Sequence, residues 1–184
     1  MKRNLGSVLA LYPTPATVVG AMVDGKPNWM LVAHVGILGH DRILISCAKA
    51  HVTNRGIRQT GAVSVHLVNE ALLPKADFVG GVSGAKTDKS KVFDYDVGTT
   101  GAPIIRDAPL CMECTVDAVY ETEGFDNFIL KISNTYAEET ALDENGKPDF
   151  EKISPVLFEM PDYSYLSAGK RIAKCLKMGK EQLV

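Results

Sequence analysis

The feature that most constrains the fold is a pair of long strand-like segments joined by a very short turn. Leu110–Glu121 and Asp126–Glu138 are both typical of strands, and a Glu-Gly-containing turn connects them. Two strands this close in sequence pair in the antiparallel sense, because a parallel pair needs a crossover of a dozen or more residues. The second half of the chain is therefore expected to build an antiparallel hairpin.

Shorter segments in the first half are also typical of strands. The turn chemistry of Asp24-Gly25-Lys26-Pro27 predicts a hairpin between the first two. The predicted strands are Ala16–Val23, Trp29–His34, Arg42–Ala48 and Ala62–Val68. Many antiparallel strands with few helices between them predict a mainly β fold, a β-barrel with helical decoration.

The predicted helices are few and short. Gly61 is a stop signal for the first of them, and Pro74 is tolerated only near a helix end or kink. Residues 86–109 are polar and rich in Gly, Thr and Pro, so they are expected to be mostly loop. The predicted helices are Val52–Thr60, Glu70–Leu73, Ala76–Val79 and a C-terminal helix over Ser167–Leu183, where apolar residues fall near helical spacing under a Lys/Arg-rich face.

Length and charge exclude several classes of protein. The 184 residues predict one domain spanning 1–184. A formal net charge of -2 gives no electrostatic case for nucleic-acid binding. No apolar run is long enough to span a bilayer, and no cleaved signal peptide is expected. Four scattered cysteines are too few for a disulfide scaffold, which favours a reducing, cytoplasmic location.

The Cys-x-x-Cys pattern at Cys111 and Cys114 is interpreted as part of the core. Side chains three apart in a strand point to opposite faces, so one metal ion could not easily take both thiolates. No second Cys-x-x-Cys and no pair of histidines completes a set of four ligands. We therefore expect no metal site here, with Cys114 on the apolar face of its strand.

A set of small and hydroxyl residues near a lysine indicates a phosphate site. Ser46–Lys49 ends a predicted strand, and Thr53 lies in the first turn of the helix that follows. The free N–H groups of a helix N-terminus bind anions, and a hydroxyl and a lysine strengthen such a site. The alternative is that Thr53 or Asn54 only caps the helix.

Several short motifs occur in order over nearly the whole chain. They are Tyr12–Pro15, Asp24–Asn28, Lys49 with Thr53 and Ile57, Asp77–Gly80, Ser83–Lys89, Gly146–Asp149 and Tyr163–Ala168. In these motifs and their order the sequence resembles the flavin reductase-like family with an FMN-binding split barrel, and most closely its flavoredoxin-like branch.

This resemblance implies a six-stranded antiparallel split barrel that forms a homodimer and binds FMN at the dimer interface. The isoalloxazine ring and ribityl chain would lie along Asn28 and the strand that follows, and the phosphate at Ser46–Lys49 and Thr53. Tyr163 would approach the ring, although a role as a packing aromatic is favoured over a flavin contact. The implied cofactor-binding residues are Asn28, Met30, Val32, Ala33, His34, Ser46, Cys47, Ala48, Lys49, Thr53, Ser83, Lys86, Lys89 and Tyr163.

Three positions depart from the pattern of the branch. His34 replaces a frequent tryptophan, His66 stands where an asparagine is common, and Asp126 replaces the histidine of a Gly-x-His element. The altered wall at His34 and the missing histidine leave flavin binding better supported than reductase activity.

Three functions are compatible with the sequence. The leading hypothesis is an FMN-dependent oxidoreductase that takes electrons from NAD(P)H and passes them to free flavin or a redox protein. The first alternative is a non-enzymatic FMN electron carrier. The second is a flavin-free dimeric β-barrel that serves as an interaction module.

Overall fold

A computed structural model describes residues 1–177 of the chain. Its strands are β1 (Thr14–Pro15), β2 (Thr17–Val23), β3 (Lys26–Val32), β4 (Val35–Ile37), β5 (Arg42–Ala48), β6 (Ala62–Leu67), β7 (Tyr95–Val97), β8 (Pro103–Ile105), β9 (Leu110–Glu121), β10 (Phe125–Ala137), β11 (Val156–Glu159) and β12 (Ser164–Ser167). Its helices are α1 (Val52–Thr60), α2 (Leu73–Gly81), α3 (Phe150–Ile153) and a 3-10 turn over Glu139–Ala141.

A seven-stranded antiparallel sheet in the order β3-β2-β6-β9-β10-β5-β4 forms the body of the molecule. Met30 and Val32 of β3 share one buried cluster with Ile43 and Ile45 of β5, although β3 and β5 stand near opposite ends of the sheet. The sheet therefore curls around this core, as predicted for a mainly β antiparallel split barrel. The resemblance implied six strands, and the three-residue β4 adds a seventh at one edge.

The long hairpin is confirmed within one residue at each end. β9 and β10 pair from Asp126 opposite Glu121 to Ala137 opposite Leu110. Register shifts after Ile129 and after Ile132 bend the pair, because a bulge adds a residue to one strand only. This bend helps the sheet curl around its core.

The first hairpin is tighter than the sequence predicted. Asp24 and Gly25 both have positive φ, and Val23 already pairs with Lys26, so the turn contains two residues. This is the backbone that suits the twist of a two-residue hairpin. Pro27 lies inside β3, where it is tolerated because β3 is an edge strand.

Helix α1 has the predicted bounds and ends at Gly61 in the left-handed conformation, with its N–H donating to the Ile57 carbonyl. It packs closely on β2, since a Cβ on Gly56 would overlap the carbonyl oxygen of Met22. This contact fixes the helix relative to the barrel. The start of α1 is thereby held beside the end of β5.

Residues 86–109 are mostly loop, as predicted, and they also hold the short hairpin β7–β8. The two helices predicted at Glu70–Leu73 and Ala76–Val79 are wrong in their bounds, because residues 70–72 form a turn and one helix, α2, covers Leu73–Gly81.

The predicted C-terminal helix is absent from 168–177, where the backbone is irregular or turn and the side chains of 169–177 are exposed, so no burial stabilises a helix. The rest of that prediction, 178–184, lies outside the described residues. Among residues 1–177, no helix is long and apolar enough to cross a membrane.

Candidate functional site

A depression of about 430 Å³, here called the helix-start pocket, lies beside the N-terminus of α1. Cationic side chains outnumber anionic ones in its lining, so the pocket favours an anion. Its lining includes Lys26, Asn28, Val52, Arg55, Lys86, Lys89, Asp24 and Asp88. The Arg55–Asp24 and Lys26–Asp88 ion pairs are exposed, and such pairs are weak enough to yield to a ligand.

The first turn of α1 adds unpaired donors to this pocket. His51 is the N-cap residue, and its side chain makes no capping hydrogen bond. The first N–H groups of a helix have no partner within it and carry a partial positive charge. A phosphate at this end would satisfy them.

Asn28 and Thr53 form a buried polar pair at the inner end of the helix-start pocket. Asn28 Nδ2 donates to Thr53 Oγ1 at 2.8 Å. Thr53 is inside the helix and does not cap it, and its hydroxyl keeps its own proton for another acceptor. Gly84 approaches so closely that a Cβ there would contact the Asn28 amide at 2.7 Å. The loop after α2 therefore closes over this pair.

A second depression of about 220 Å³, here called the apolar pocket, lies on the other side of the helix start. His51 lines this pocket and the next residue, Val52, lines the helix-start pocket. The wall is mostly apolar and includes Phe125, Phe158 and Met160. Six predicted cofactor-binding residues meet here: Val32, Ala33, His34, Ser46, Cys47 and Ala48.

No activated nucleophile stands in the apolar pocket among the described residues. Burial, with a contribution from Asp126, raises the pKa of the Cys47 thiol to about 12. A protonated thiol is a poor nucleophile. Burial and the charge of Lys89 lower the pKa of His51, which stays neutral at pH 7. Redox chemistry in this pocket therefore has to come from a bound group.

Of the other predicted residues, Asn28, Lys86 and Lys89 line the helix-start pocket. The Lys89 ammonium, however, donates to the backbone carbonyls of Trp29 at 3.0 Å and Val79 at 2.7 Å. Burial lowers its pKa. Lys89 thus ties the loop to the barrel. Lys86 makes no ion pair with any of residues 1–177, so of these two lysines it is the one that can meet an anion.

The structure brings Met30, Lys49, Ser83 and Tyr163 to neither pocket. Met30 is 1% exposed inside the barrel core, because alternate residues of β3 face that core. Lys49 Nζ pairs with Glu121 at 3.1 Å. Ser83 is exposed next to Gly84, and Tyr163 is 74% exposed with its ring against Phe158. Their contact with a cofactor stays a prediction.

The arginine of the helix-start pocket was missed by the sequence analysis. Arg55 lies on α1 two residues after Thr53, and it lines the pocket together with Lys86. The signal was present in the sequence as Thr53-Asn54-Arg55. The sequence analysis assigned the positive charge of the phosphate site to Lys49 instead of Arg55.

A second polar site, the Glu113 site, was also missed. Glu113 is fully buried, and its carboxylate accepts hydrogen bonds from the side chains of Thr99, Thr100, Asn134 and Tyr136 and from the Thr100 N–H. Burial by itself would raise the pKa of Glu113, but these hydrogen bonds lower it to about 2. The β7–β8 hairpin creates this burial by covering one face of β9.

The cysteines of the Cys-x-x-Cys pattern are both buried free thiols. Cys114 packs in the barrel core with Met112 and Val116 against it, as predicted for the apolar face. Among residues 1–177, no group of three or more His, Cys, Asp and Glu side chains is placed to hold a metal ion.

Comparison with known proteins identifies the family. The model of the flavin reductase like domain matches residues 9–166. A flavoredoxin from Methanosarcina acetivorans is 34% identical over 100% of both chains, with a TM-score of 0.94. A flavoredoxin of Desulfovibrio vulgaris (Miyazaki F) is 31% identical over 97% of this chain and 100% of its own, with a TM-score of 0.90. No curated protein matches.

A more distant structure shares the fold alone. The FMN-binding protein from Thermus thermophilus is 22% identical over 95% of this chain and 99% of its own, with a TM-score of 0.80. The chain belongs to the flavin reductase-like family, in its flavoredoxin branch. It is a flavin-binding protein, and this favours the two flavin hypotheses over a flavin-free interaction module.

Proposed function

We propose that this protein binds FMN and acts as an oxidoreductase that takes electrons from NAD(P)H and passes them to free flavin or a redox protein. The observation that carries the proposal is the meeting of an anion-binding pocket and an apolar pocket at the start of α1. FMN has the same two ends, a phosphate and a flat ring. When bound, the flavin supplies the hydride and electron chemistry.

The phosphate would be held by the start of α1 and the side chains around it. Arg55 and Lys86 line the pocket and would supply positive charge. Thr53 is outside the pocket lining and 1% exposed, but it is bonded to the lining residue Asn28 and would donate its hydroxyl proton from there. Asn28 fixes the Thr53 hydroxyl by donating to its oxygen at 2.8 Å. Hydrogen bonds to a charged group are stronger than neutral ones, so these contacts would contribute most to FMN affinity.

The ring would lie in the apolar pocket, against His34 and the end of β5. At about 220 Å³ this pocket is smaller than the ~300 Å³ at which ligand pockets usually begin. The outer sheet face beside it exposes Leu38 and Tyr120 around Leu44 and Ile129. A second copy of the chain packed on this face would bury these residues and complete the ring site, which supports the proposed homodimer.

A non-enzymatic FMN carrier is the second candidate. The position at which the branch has a histidine is Asp126 here, and its carboxylate is already bound by Arg58 at 2.8 Å and Asn54 at 2.9 Å. If the histidine of relatives assists reduction, its replacement by a carboxylate that is already hydrogen-bonded favours a carrier that receives its electrons from a partner reductase.

Two measurements test the proposal. The purified protein mixed with FMN is expected to show a flavin absorbance spectrum between 300 and 550 nm that stays with the protein on gel filtration. Turnover of NAD(P)H with free flavin as acceptor supports the oxidoreductase, and turnover only with an added reductase supports the carrier. A protein that retains no flavin would contradict both.

The dimer is tested separately. Light scattering is expected to show a homodimer, and FMN affinity is expected to fall when dilution separates the subunits. A monomer that binds FMN equally tightly would contradict this part of the proposal.

A further inference from the structure

His34 is an ionisable side chain shared by two cavities. It lines the apolar pocket and also a smaller cleft of about 140 Å³ that contains Tyr12. Its Nε2 lies 2.8 Å from the Tyr12 hydroxyl oxygen. Among residues 1–177, no other hydrogen bond reaches the His34 ring. Tyr12 is therefore the group that determines which nitrogen of His34 carries a proton.

Tyr12 is held in place from two directions. Its ring packs edge-on against Phe158, with centroids 6.2 Å apart. Two residues later, Thr14 Oγ1 donates to the Ala33 carbonyl at 2.8 Å. The segment before β1 is thus fastened to β11 and to the end of β3. The Tyr12 hydroxyl keeps its position beside His34.

The Tyr12 hydroxyl has a second acceptor within reach. Its oxygen lies 3.7 Å from Met160 Sδ, and a thioether sulfur is a weak acceptor. With neutral His34, the hydroxyl donates to Nε2, so the ring proton stays on Nδ1. When His34 is protonated, Nε2–H donates to the Tyr12 oxygen and the hydroxyl proton turns to Met160. His34 keeps its hydrogen bond in both states.

We infer that Tyr12 is a positioning residue that allows His34 to take up a proton beside the apolar pocket when electrons arrive there. This inference rests on the proposed function. NAD(P)H would give the electron pair as a hydride to the bound flavin and would leave as NAD(P)⁺. One proton passes from solvent to His34 Nε2, with no bond broken in the protein. The positive charge on His34 then offsets the negative charge that the hydride brings.

The other titratable groups around His34 are less suited to this role. The Cys47 thiol stays protonated, because burial raises its pKa to about 12. Burial and Lys89 lower the pKa of His51. Burial, with the nearby Tyr163, raises the pKa of Tyr12, which keeps its proton. These groups are therefore not placed to take up the proton, whereas His34 lines the apolar pocket with its Nε2 in hydrogen-bond contact with a hydroxyl.

The first test uses the protein without flavin. NMR of ¹⁵N-labelled histidine is expected to show neutral His34 with its proton on Nδ1. The Tyr12→Phe variant is expected to move this population toward Nε2–H, while Tyr95→Phe, a half-buried tyrosine elsewhere, leaves it unchanged. A proton on Nε2 in the wild type, or no response to Tyr12→Phe, would overturn the hydrogen-bond assignment.

The second test follows the midpoint potential of bound FMN between about pH 5 and 8. Uptake of one extra proton per electron pair steepens the slope by up to about 30 mV per pH unit, the equivalent of a tenfold change for a two-electron couple. His34→Gln is expected to lose this contribution and Tyr12→Phe to reduce it, while the exposed His40→Gln keeps the wild-type slope. Equal slopes in wild type and His34→Gln would overturn the inference. Absence of bound flavin would instead overturn the proposed function, and the tautomer measurement would still decide the role of Tyr12.

Discussion

The Glu113 site and the helix-start pocket are both polar, but they differ in what satisfies them. In the first, a buried carboxylate accepts hydrogen bonds from four residues of its own chain. In the second, the helix N-terminus has no side-chain cap and the surrounding charges are in cationic excess. A site completed by its own chain stabilises the fold. A site left incomplete is available to a ligand.

The largest expected effect is a loss of stability when the Glu113 site is disrupted. Glu113→Ala leaves Tyr136, Asn134 and the Thr100 N–H without their shared acceptor. An unpaired buried donor costs about 1–3 kcal/mol, and these three donors are only partly buried, so we expect a total loss of about 3 kcal/mol in the free energy of unfolding. Urea denaturation measures this loss. The exposed Glu123→Ala is the matched control, and an equally small change in both variants would show that Glu113 is not structural.

The next largest expected effect is a loss of FMN affinity at the helix-start pocket. Thr53→Ala removes a hydroxyl donor to the phosphate and the acceptor of Asn28 Nδ2. Losing one hydrogen bond to a charged group costs roughly 1.5–3 kcal/mol, about a ten- to hundredfold loss in FMN affinity. Flavin fluorescence titration measures it. Wild-type FMN affinity in a folded Thr53→Ala protein would show that Thr53 does not bind the phosphate.

Lowering the pH distinguishes the Glu113 site from the helix-start pocket, because only the Glu113 site depends on a buried carboxylate. The folded-state pKa of Glu113 is lowered to about 2, below the ~4.3 of an unfolded chain. Its stabilisation is therefore fully present above about pH 4.3 and is lost as the pH falls toward 2. Thermal unfolding should show the advantage of wild type over Glu113→Gln shrinking across this range. A constant difference would contradict the assignment.

The smallest effect is expected at Lys49. Because its ammonium is half-exposed and pairs with Glu121, Lys49→Ala should weaken FMN binding only a few-fold, in line with the ~0–1 kcal/mol of surface ion pairs. Lys86→Ala is the comparison variant and should weaken binding more. Fluorescence titration of both variants ranks them. A larger loss of FMN affinity in Lys49→Ala than in Lys86→Ala would indicate that the phosphate binds at the end of β5.

Much of the fold could be predicted because it depends on local patterns. The alternation of β9 and β10 and the stop at Gly61 gave bounds within one residue or better. The C-terminal prediction failed because helical spacing alone does not form a helix; an apolar face needs a surface to pack on. Residues 169–177 are exposed and have none.

The site could be predicted only in part, because cavities depend on contacts distant in sequence. The end of β5 and Ala33–His34 do meet in the apolar pocket. Burial of Glu113 could not be foreseen, since it depends on a hairpin within an apparent loop. Lys89 likewise resembled a ligand-binding lysine, and only the fold shows its ammonium bound to backbone carbonyls.

The most direct test of the account compares FMN with riboflavin, which has the same ring but no phosphate. If the helix-start pocket holds the phosphate, FMN should bind on the order of a hundredfold more tightly, the equivalent of about 2.8 kcal/mol from charged hydrogen bonds. Isothermal titration of the flavin-free protein with each compound gives both constants. Equal affinities would show that the start of α1 holds no phosphate and would contradict the account.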